Sequence, residues 1–140
     1  MERDSLTLAI PNTLGDIPRA NKQISAFCTA RNVPPKLLNR FCLSLDEVLT
    51  NIITHGVGDD GRRAIAVQID IGGGYLSAVV SDDGTPFDPL SLPAPDIHAP
   101  LEERKIGGLG IHLLRQLMDK VAYRRAGDRN ELSFGIKISG

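Results

Sequence analysis

The chain has no tryptophan, and aromatic residues make up only 4% of its 140 positions. A surface that holds nucleic acid by stacking bases on aromatic rings needs more than that. Neither sign of charge is in excess. Sixteen basic side chains meet seventeen acidic ones, for a net charge of −1. The basic surplus of a dedicated nucleic-acid binder is missing, so no direct nucleic-acid contact is expected. Cysteine is scarce too. Cys28 and Cys42 are too few for a disulfide framework, and both fall at apolar helix positions, where a free thiol acts as a small core residue. No zinc-ligand spacing occurs. No apolar run approaches the ~20 residues of a membrane span. The opening MERDSLTL lacks the basic-then-apolar pattern of a secretory leader. These absences lead to the expectation of one soluble, cytoplasmic domain over 1–140, with no membrane partner.

What is present is a clean alternation of patterns. Leu6, Leu8 and Ile10 alternate with polar or small residues up to Pro11, the mark of a half-buried strand. Asp16 stands where an N-cap would open a helix bearing Ile17, Ala20, Ile24, Phe27 and Cys28 on one face. Pro34 and Pro35 begin a second helix. Its stripe is Phe41, Leu45, Val48, Leu49, Ile52 and Ile53, and Gly56 and Gly58 stop it. Ile65, Val67, Ile69 and Ile71 alternate strictly, the three glycines 72–74 turn the chain, and Leu76, Ala78 and Val80 alternate on the way back, which predicts a hairpin. Residues 85–106 hold five of the nine prolines, Pro86, Pro89, Pro93, Pro95 and Pro100, and read as a long functional loop. A third helix follows, with Ile111, Leu114, Leu117 and Met118 on one face. The chain closes with a strand at Val121–Arg125, a turn at Gly127–Asn130 and a strand through Leu132, Phe134, Ile136 and Ile138. The order β-α-α-β-β-loop-α-β-β predicts a two-layer α/β sandwich. Its mixed, mostly antiparallel sheet is covered on one face by about three helices.

Three constellations carry possible chemistry. Glu47 and Asn51 are one helical turn apart, on a line roughly 140° from the apolar stripe at 100° per residue. Taken alone, such a face reads as solvated. Ser81-Asp82-Asp83-Gly84 follows a strand directly, and taken alone it reads as an Asp-Gly turn. An acid there stands at the rim of the sheet, and glycine leaves space beside the backbone for a flat ligand. Gly107-Gly108-Leu109-Gly110 opens the third helix. Backbone N–H groups at a helix start attract phosphate, although a flexible hinge would have the same composition. No Lys-Ser/Thr follows, as a Walker A turn requires, and no strand immediately precedes it, as a dinucleotide turn requires.

In this order the three are far more specific than any one. E-x-x-x-N in LDEVLTNIITHG, D-x-G in VVSDDGTPFDP, and GGLGIHLLRQLMDKV resemble the three nucleotide boxes of the GHKL ATPase superfamily. The resemblance is nearest to the small anti-sigma-factor serine/threonine kinases of the RsbW/SpoIIAB type, and it covers residues 5–138.

The resemblance implies ATP and Mg²⁺ as ligands. It implies that Asn51 gives an oxygen to Mg²⁺, and that Asp82 accepts the adenine amino proton while Gly84 lets the base approach the backbone. Gly107, Gly108, Leu109, Gly110 and Ile111 would hold the phosphates, and residues 85–106 would form the ATP lid. Glu47 would be the general base for a substrate hydroxyl. Relatives often carry Arg directly before the glycine turn. Ile106 stands there instead, with Arg104 and Lys105 just upstream, either of which could reach the γ-phosphate. The implied partners are an anti-anti-sigma protein of the STAS fold, a sigma factor and a second copy of the chain. An ATP-gated binding module without turnover and a stand-alone histidine-kinase-like ATPase domain are the alternatives. Histidine kinases add a helical domain carrying the phosphorylated His, for which this chain is expected to have no room. His55 and His112 have no metal-ligand company in sequence and read as structural.

Overall fold

A computed structural model describes residues 4–86, 88, 90 and 114–138, and the fold below is that of these residues. Five strands form one sheet: β1 (Asp4–Pro11), β2 (Ala64–Gly72), β3 (Tyr75–Asp82), β4 (Lys120–Ala126) and β5 (Arg129–Lys137). Two helices, α1 (Ile17–Ala30) and α2 (Pro35–Asn51), lie between β1 and β2. Residues 114–117 are helical, and the expected start of that third helix at Ile111 lies outside the described residues.

The strand order is β1-β2-β3-β5-β4, and every neighbouring pair is antiparallel. The sheet is therefore antiparallel throughout, not mixed. Topology explains the difference. A single crossover helix returns a chain parallel to its first strand, but two helices between β1 and β2 reverse it once more. The connection from β3 to β4 does send β4 along the direction of β3. β5 then inserts between them, so no parallel pair forms.

Register keeps one face of each strand inward. Ile65, Val67 and Ile69 of β2, Leu76, Ala78 and Val80 of β3, and Leu132, Phe134 and Ile136 of β5 are all buried. They meet Ile24 and Cys28 of α1 and Phe41, Leu45, Val48 and Leu49 of α2 in one core. Phe41 and Phe134 join the layers with ring centroids 5.4 Å apart at a 45° tilt, a favoured aromatic geometry. Each such side chain contributes about 1.5–3 kcal/mol through burial. Cys28 is buried and Cys42 half-buried, both as free thiols. Burial pushes the Cys28 thiol up to about 11, which keeps it protonated and inert.

Three local features differ from the sequence expectation. Asp16 does not cap α1: no side-chain cap bond forms, and its backbone is already helical. A short 3₁₀ turn, Leu14–Asp16, precedes the helix, and the Asp16 carboxylate takes the Thr13 hydroxyl and the Arg19 guanidinium instead. The second helix does not stop at an ordinary cap. It passes at Ile52 into a π-helical turn, Ile52–Val57, which Gly58 ends by donating its N–H to the Ile53 carbonyl at 2.9 Å. Finally, the last turn is shorter than expected. Ala126 pairs with Arg129, so Arg129 and Asn130 belong to β5. The hairpin between β2 and β3 closes as expected, on Gly73 and Gly74 with φ of 62° and 83°. Two successive positive φ values define the primed turn that suits strand twist.

Asn12 fixes the chain beyond the π turn. It is wholly buried. Its Nδ2 donates to the Gly58 carbonyl at 2.8 Å and to Asp60 at 2.9 Å, and its Oδ1 accepts the Arg63 N–H at 2.9 Å. The loop that leaves α2 is thereby tied to the end of β1. Among the described residues no helix is long and apolar enough to cross a membrane.

Candidate functional site

The site is built where the C-terminal end of α2 meets the end of β3. On α2, Glu47 is half-buried and Asn51 is wholly buried. This face is therefore only partly solvated, where its polarity alone suggested full exposure. Asn51 Nδ2 donates to the Glu47 backbone carbonyl at 2.7 Å. That bond orients the amide: the amino end turns toward its own helix, and the carbonyl oxygen lies at the opposite end. Burial pushes the Glu47 carboxyl above the usual carboxylate range, and the adjacent Asp46 charge adds to the shift. Asp46 is itself raised by burial.

Asp82 continues the inward alternation of Leu76, Ala78 and Val80, which carries its carboxylate below the sheet rim to 3% exposure. Its Oδ1 accepts the Gly84 N–H at 2.9 Å and Asn130 Nδ2 at 3.1 Å. Among the described residues no hydrogen bond falls on Oδ2. A buried carboxylate with one oxygen satisfied and the other open suits a ligand that offers an N–H. Asp83, next in sequence, turns outward toward Arg63.

Gly84 brings the two halves together. A Cβ there would lie 2.8 Å from Val57 Cγ1 and 2.9 Å from Asp82 Oδ1, with the Gly56 backbone at 3.8 Å. No side chain fits between the π turn and the carboxylate. The π turn that follows Asn51 thus packs directly on the turn that follows Asp82. The segment that continues from the first sequence constellation thus meets the second at this point. The third does not come under description: Gly107, Gly108, Leu109, Gly110 and Ile111, together with Arg104, Lys105 and Ile106, lie outside the described residues.

Sequence reasoning missed the residues behind Asp82. Asn130, opposite Asp82 in the β3–β5 register, donates to Asp82 Oδ1 and also to the Thr85 carbonyl at 2.9 Å. Tyr123 on β4 donates its hydroxyl to Asn130 Oδ1 at 2.5 Å. Arg125, two residues on, donates to the Gly84 carbonyl at 2.8 Å. Asn beside Gly and Asp reads as turn composition, which hid a buried strand residue. The available signal was the inward alternation Asn130, Leu132, Phe134, Ile136.

The model of the histidine kinase-like ATPase domain matches residues 10–136 of this chain. The chain belongs to that family. Within it, the chain is 30% identical over 96 residues to the serine/threonine-protein kinase BtrW of Bordetella bronchiseptica, covering 67% of this chain and 68% of the relative. It is 26% identical over 122 residues to the serine-protein kinase RsbW of Listeria monocytogenes, covering 84% and 78%. The fold matches the structure of the RsbU and RsbW domains of Rv1364c from Mycobacterium tuberculosis with a TM-score of 0.70, at 14% identity. That match covers 98% of this chain and about a third, 33%, of the other. A histidine kinase domain from Erythrobacter litoralis matches with a TM-score of 0.52 at 19% identity, over 91% of this chain and 61% of that one.

Membership of the histidine kinase-like ATPase family carries ATP use with it, and BtrW and RsbW are named as a serine/threonine-protein kinase and a serine-protein kinase. Against that background the Glu47–Asn51 helix, its π turn and the Asp82–Gly84 turn packed on it are the candidate nucleotide site.

Proposed function

We propose that this chain is an ATP-dependent serine/threonine protein kinase and an anti-sigma regulatory factor. It phosphorylates an anti-anti-sigma protein of the STAS fold and alternately sequesters a sigma factor, as a cytoplasmic component of a partner-switching system. The observation that supports the reading is the Gly84–Val57 packing, by which the π turn continuing from the Glu47–Asn51 helix meets the turn beside the buried Asp82. The serine kinases among the relatives support the same reaction class.

In this reading Asp82 selects adenine. Its Oδ2 accepts an N6–H, while guanine offers an acceptor at the same place. Gly107, Gly108, Leu109, Gly110 and Ile111 hold the phosphates, with Arg104 or Lys105 reaching the γ-phosphate. The donor set suits Mg²⁺. Among the described residues no three His, Cys, Asp or Glu side chains converge, so a divalent ion would rest on few protein ligands. Mg²⁺ at nucleotide sites is held in that way, keeping several waters beside substrate phosphates. Asn51 supplies the amide oxygen. The ion, when bound, neutralises charge on the phosphates. Glu47 takes the proton from the substrate hydroxyl as its oxygen bonds to the γ-phosphorus and the bond to the β–γ bridging oxygen breaks, leaving ADP. Phosphoryl transfer needs mainly positioning and charge stabilisation, so a single carboxylate suffices as the base.

Incubation with labelled ATP and a STAS partner tests the reaction. Acid-stable label on the partner is expected. Acid-labile label points to a phosphohistidine and to the stand-alone histidine-kinase-like alternative. Absence of label, with ATP bound, points to an ATP-gated binding module.

The chain is also proposed to act as a homodimer through the side carrying β1. β1 is an edge strand, and its outward residues Ser5, Thr7 and Ala9 are exposed and uncharged. Light scattering with Mg-ATP is expected to give twice the chain mass of 15.1 kDa. A concentration-independent monomer mass overturns the dimer.

A further inference from the structure

Edge strand β4 lies outside all three nucleotide motifs, yet two of its side chains reach into the base-binding turn. Tyr123 and Arg125 sit two apart on the inward face of β4, opposite Leu132 and Asn130 of β5. Tyr123 holds Asn130 Oδ1 at 2.5 Å. Asn130 Nδ2 then bridges Asp82 Oδ1 at 3.1 Å and the Thr85 carbonyl at 2.9 Å, the two ends of the D-x-G turn. Arg125 takes the Gly84 carbonyl in the middle of the same turn at 2.8 Å. This one hairpin thus holds the Asp82 carboxylate and the carbonyls of Gly84 and Thr85.

We infer that Tyr123 and Arg125 are positioning residues that set the base selectivity of the site, a conclusion that rests on the reading of Asp82 as the adenine carboxylate. The physical argument lies in the symmetry of an amide. Asn130 can present either Nδ2 or Oδ1 to Asp82, and the two ends have nearly the same shape. Only the Nδ2-inward arrangement satisfies the carboxylate and the Thr85 carbonyl, both acceptors. The Tyr123 hydroxyl donates to Oδ1 on the far side and so completes the bonding of the amide in that arrangement. Without the hydroxyl, Asn130 Oδ1 loses this donor on the far side, the amide is placed less firmly, and Asp82 Oδ1 is held less strictly with Oδ2 turned to the ligand. Arg125 acts in parallel by holding the Gly84 carbonyl, one residue's rotation away from the Gly84 N–H that makes the other bond to Oδ1.

The test compares dissociation constants for ATP and for purine riboside triphosphate, which lacks the 6-amino group. Wild-type protein is expected to prefer ATP clearly. Tyr123→Phe removes one hydroxyl and is expected to weaken ATP about fivefold to tenfold, the effect of one hydrogen bond in a charged network. Affinity for the analogue stays unchanged, so the discrimination ratio falls. A merely structural role weakens both nucleotides alike, and that result, or an unchanged ratio, overturns the inference. Arg125→Met is expected to lower the ratio in the same direction, and Arg125→Lys to restore part of it, since an ammonium can still donate to the Gly84 carbonyl. Should Tyr123→Phe not fold, the Arg125 pair decides: a ratio unchanged in Arg125→Met overturns the inference. A wild-type ratio near one is a separate outcome, because it removes the adenine role of Asp82 itself.

Discussion

Glu47→Ala is expected to abolish phosphorylation of the STAS partner while ATP binds with nearly wild-type affinity. The loss in rate should reach about 10²–10⁴-fold, the usual contribution of a general base. A carboxylate in this role acts only when the hydroxyl proton moves. Toward the nucleotide its charge is, if anything, repulsive. Asn51→Ala is expected to do the opposite, weakening Mg-ATP binding itself, because in the proposed site it would remove an oxygen ligand from an ion with few. Calorimetry and phosphotransfer assays on the two variants separate the roles. Wild-type transfer by Glu47→Ala would assign the proton to another group.

The environment of Glu47 adds a pH signature. Burial and the Asp46 charge raise its pKa, and only the ionised form accepts a proton. Transfer should therefore fall on the acid side at a pH above the ordinary glutamate range, and Asp46→Asn should move that inflection down. Linkage gives the sign for stability. The folded pKa lies above the unfolded one, so the folded state binds the extra proton between the two values. Stability then declines as pH rises through that window. Glu47→Gln is accordingly expected to unfold at a slightly higher temperature than wild type at neutral pH, while losing transfer.

Most of the fold was legible because most of it is periodic. The alternation at Ile65–Ile71 and Leu76–Val80 has a period of two, and the stripe from Phe41 to Ile53 has the helical period; each period dictates a buried face. The sheet's uniform antiparallel pairing was not legible. It depends on β5 inserting between β3 and β4, a tertiary choice that leaves no mark in local pattern. The π turn at Ile52–Val57 was hidden for a related reason, since Ile52 and Ile53 fit an α-helical stripe equally well. At the site, Glu47, Asn51, Asp82 and Gly84 could be singled out because their order and spacing resemble the nucleotide boxes of the GHKL ATPase superfamily; taken alone, each group reads as a solvated face or a turn. Their burial could not be read. Asn51 lies far from the apolar stripe, and its burial is a matter of tertiary packing, as is the contact of the π turn with Gly84, between residues nearly thirty positions apart. Asn130 shows the limit most clearly. Its neighbours Gly127 and Asp128 gave it the look of a turn residue, and only register places it opposite Asp82.

That placement sharpens the second large effect. Asp82→Asn keeps the shape of the side chain and changes only what one atom offers. Oδ1 must still accept two donors, Gly84 N–H and Asn130 Nδ2, so the new amide orients its oxygen there. Its amino group then occupies the place of Oδ2 and meets the adenine 6-amino group donor to donor. A charge-assisted bond is lost and an unsatisfied contact replaces it, an effect of about 2–3 kcal/mol, or roughly a hundredfold in ATP affinity. Guanine carries an acceptor at position 6, so the same amino group can donate to it. GTP affinity should hold or improve, and the preference for ATP should narrow sharply or reverse. Titration of wild type and Asp82→Asn with both nucleotides measures this directly. An unchanged ATP dissociation constant removes Asp82 from the base site. An equal loss for ATP and GTP means that the substitution disturbed the turn, because only a contact at position 6 can weaken one base while favouring the other.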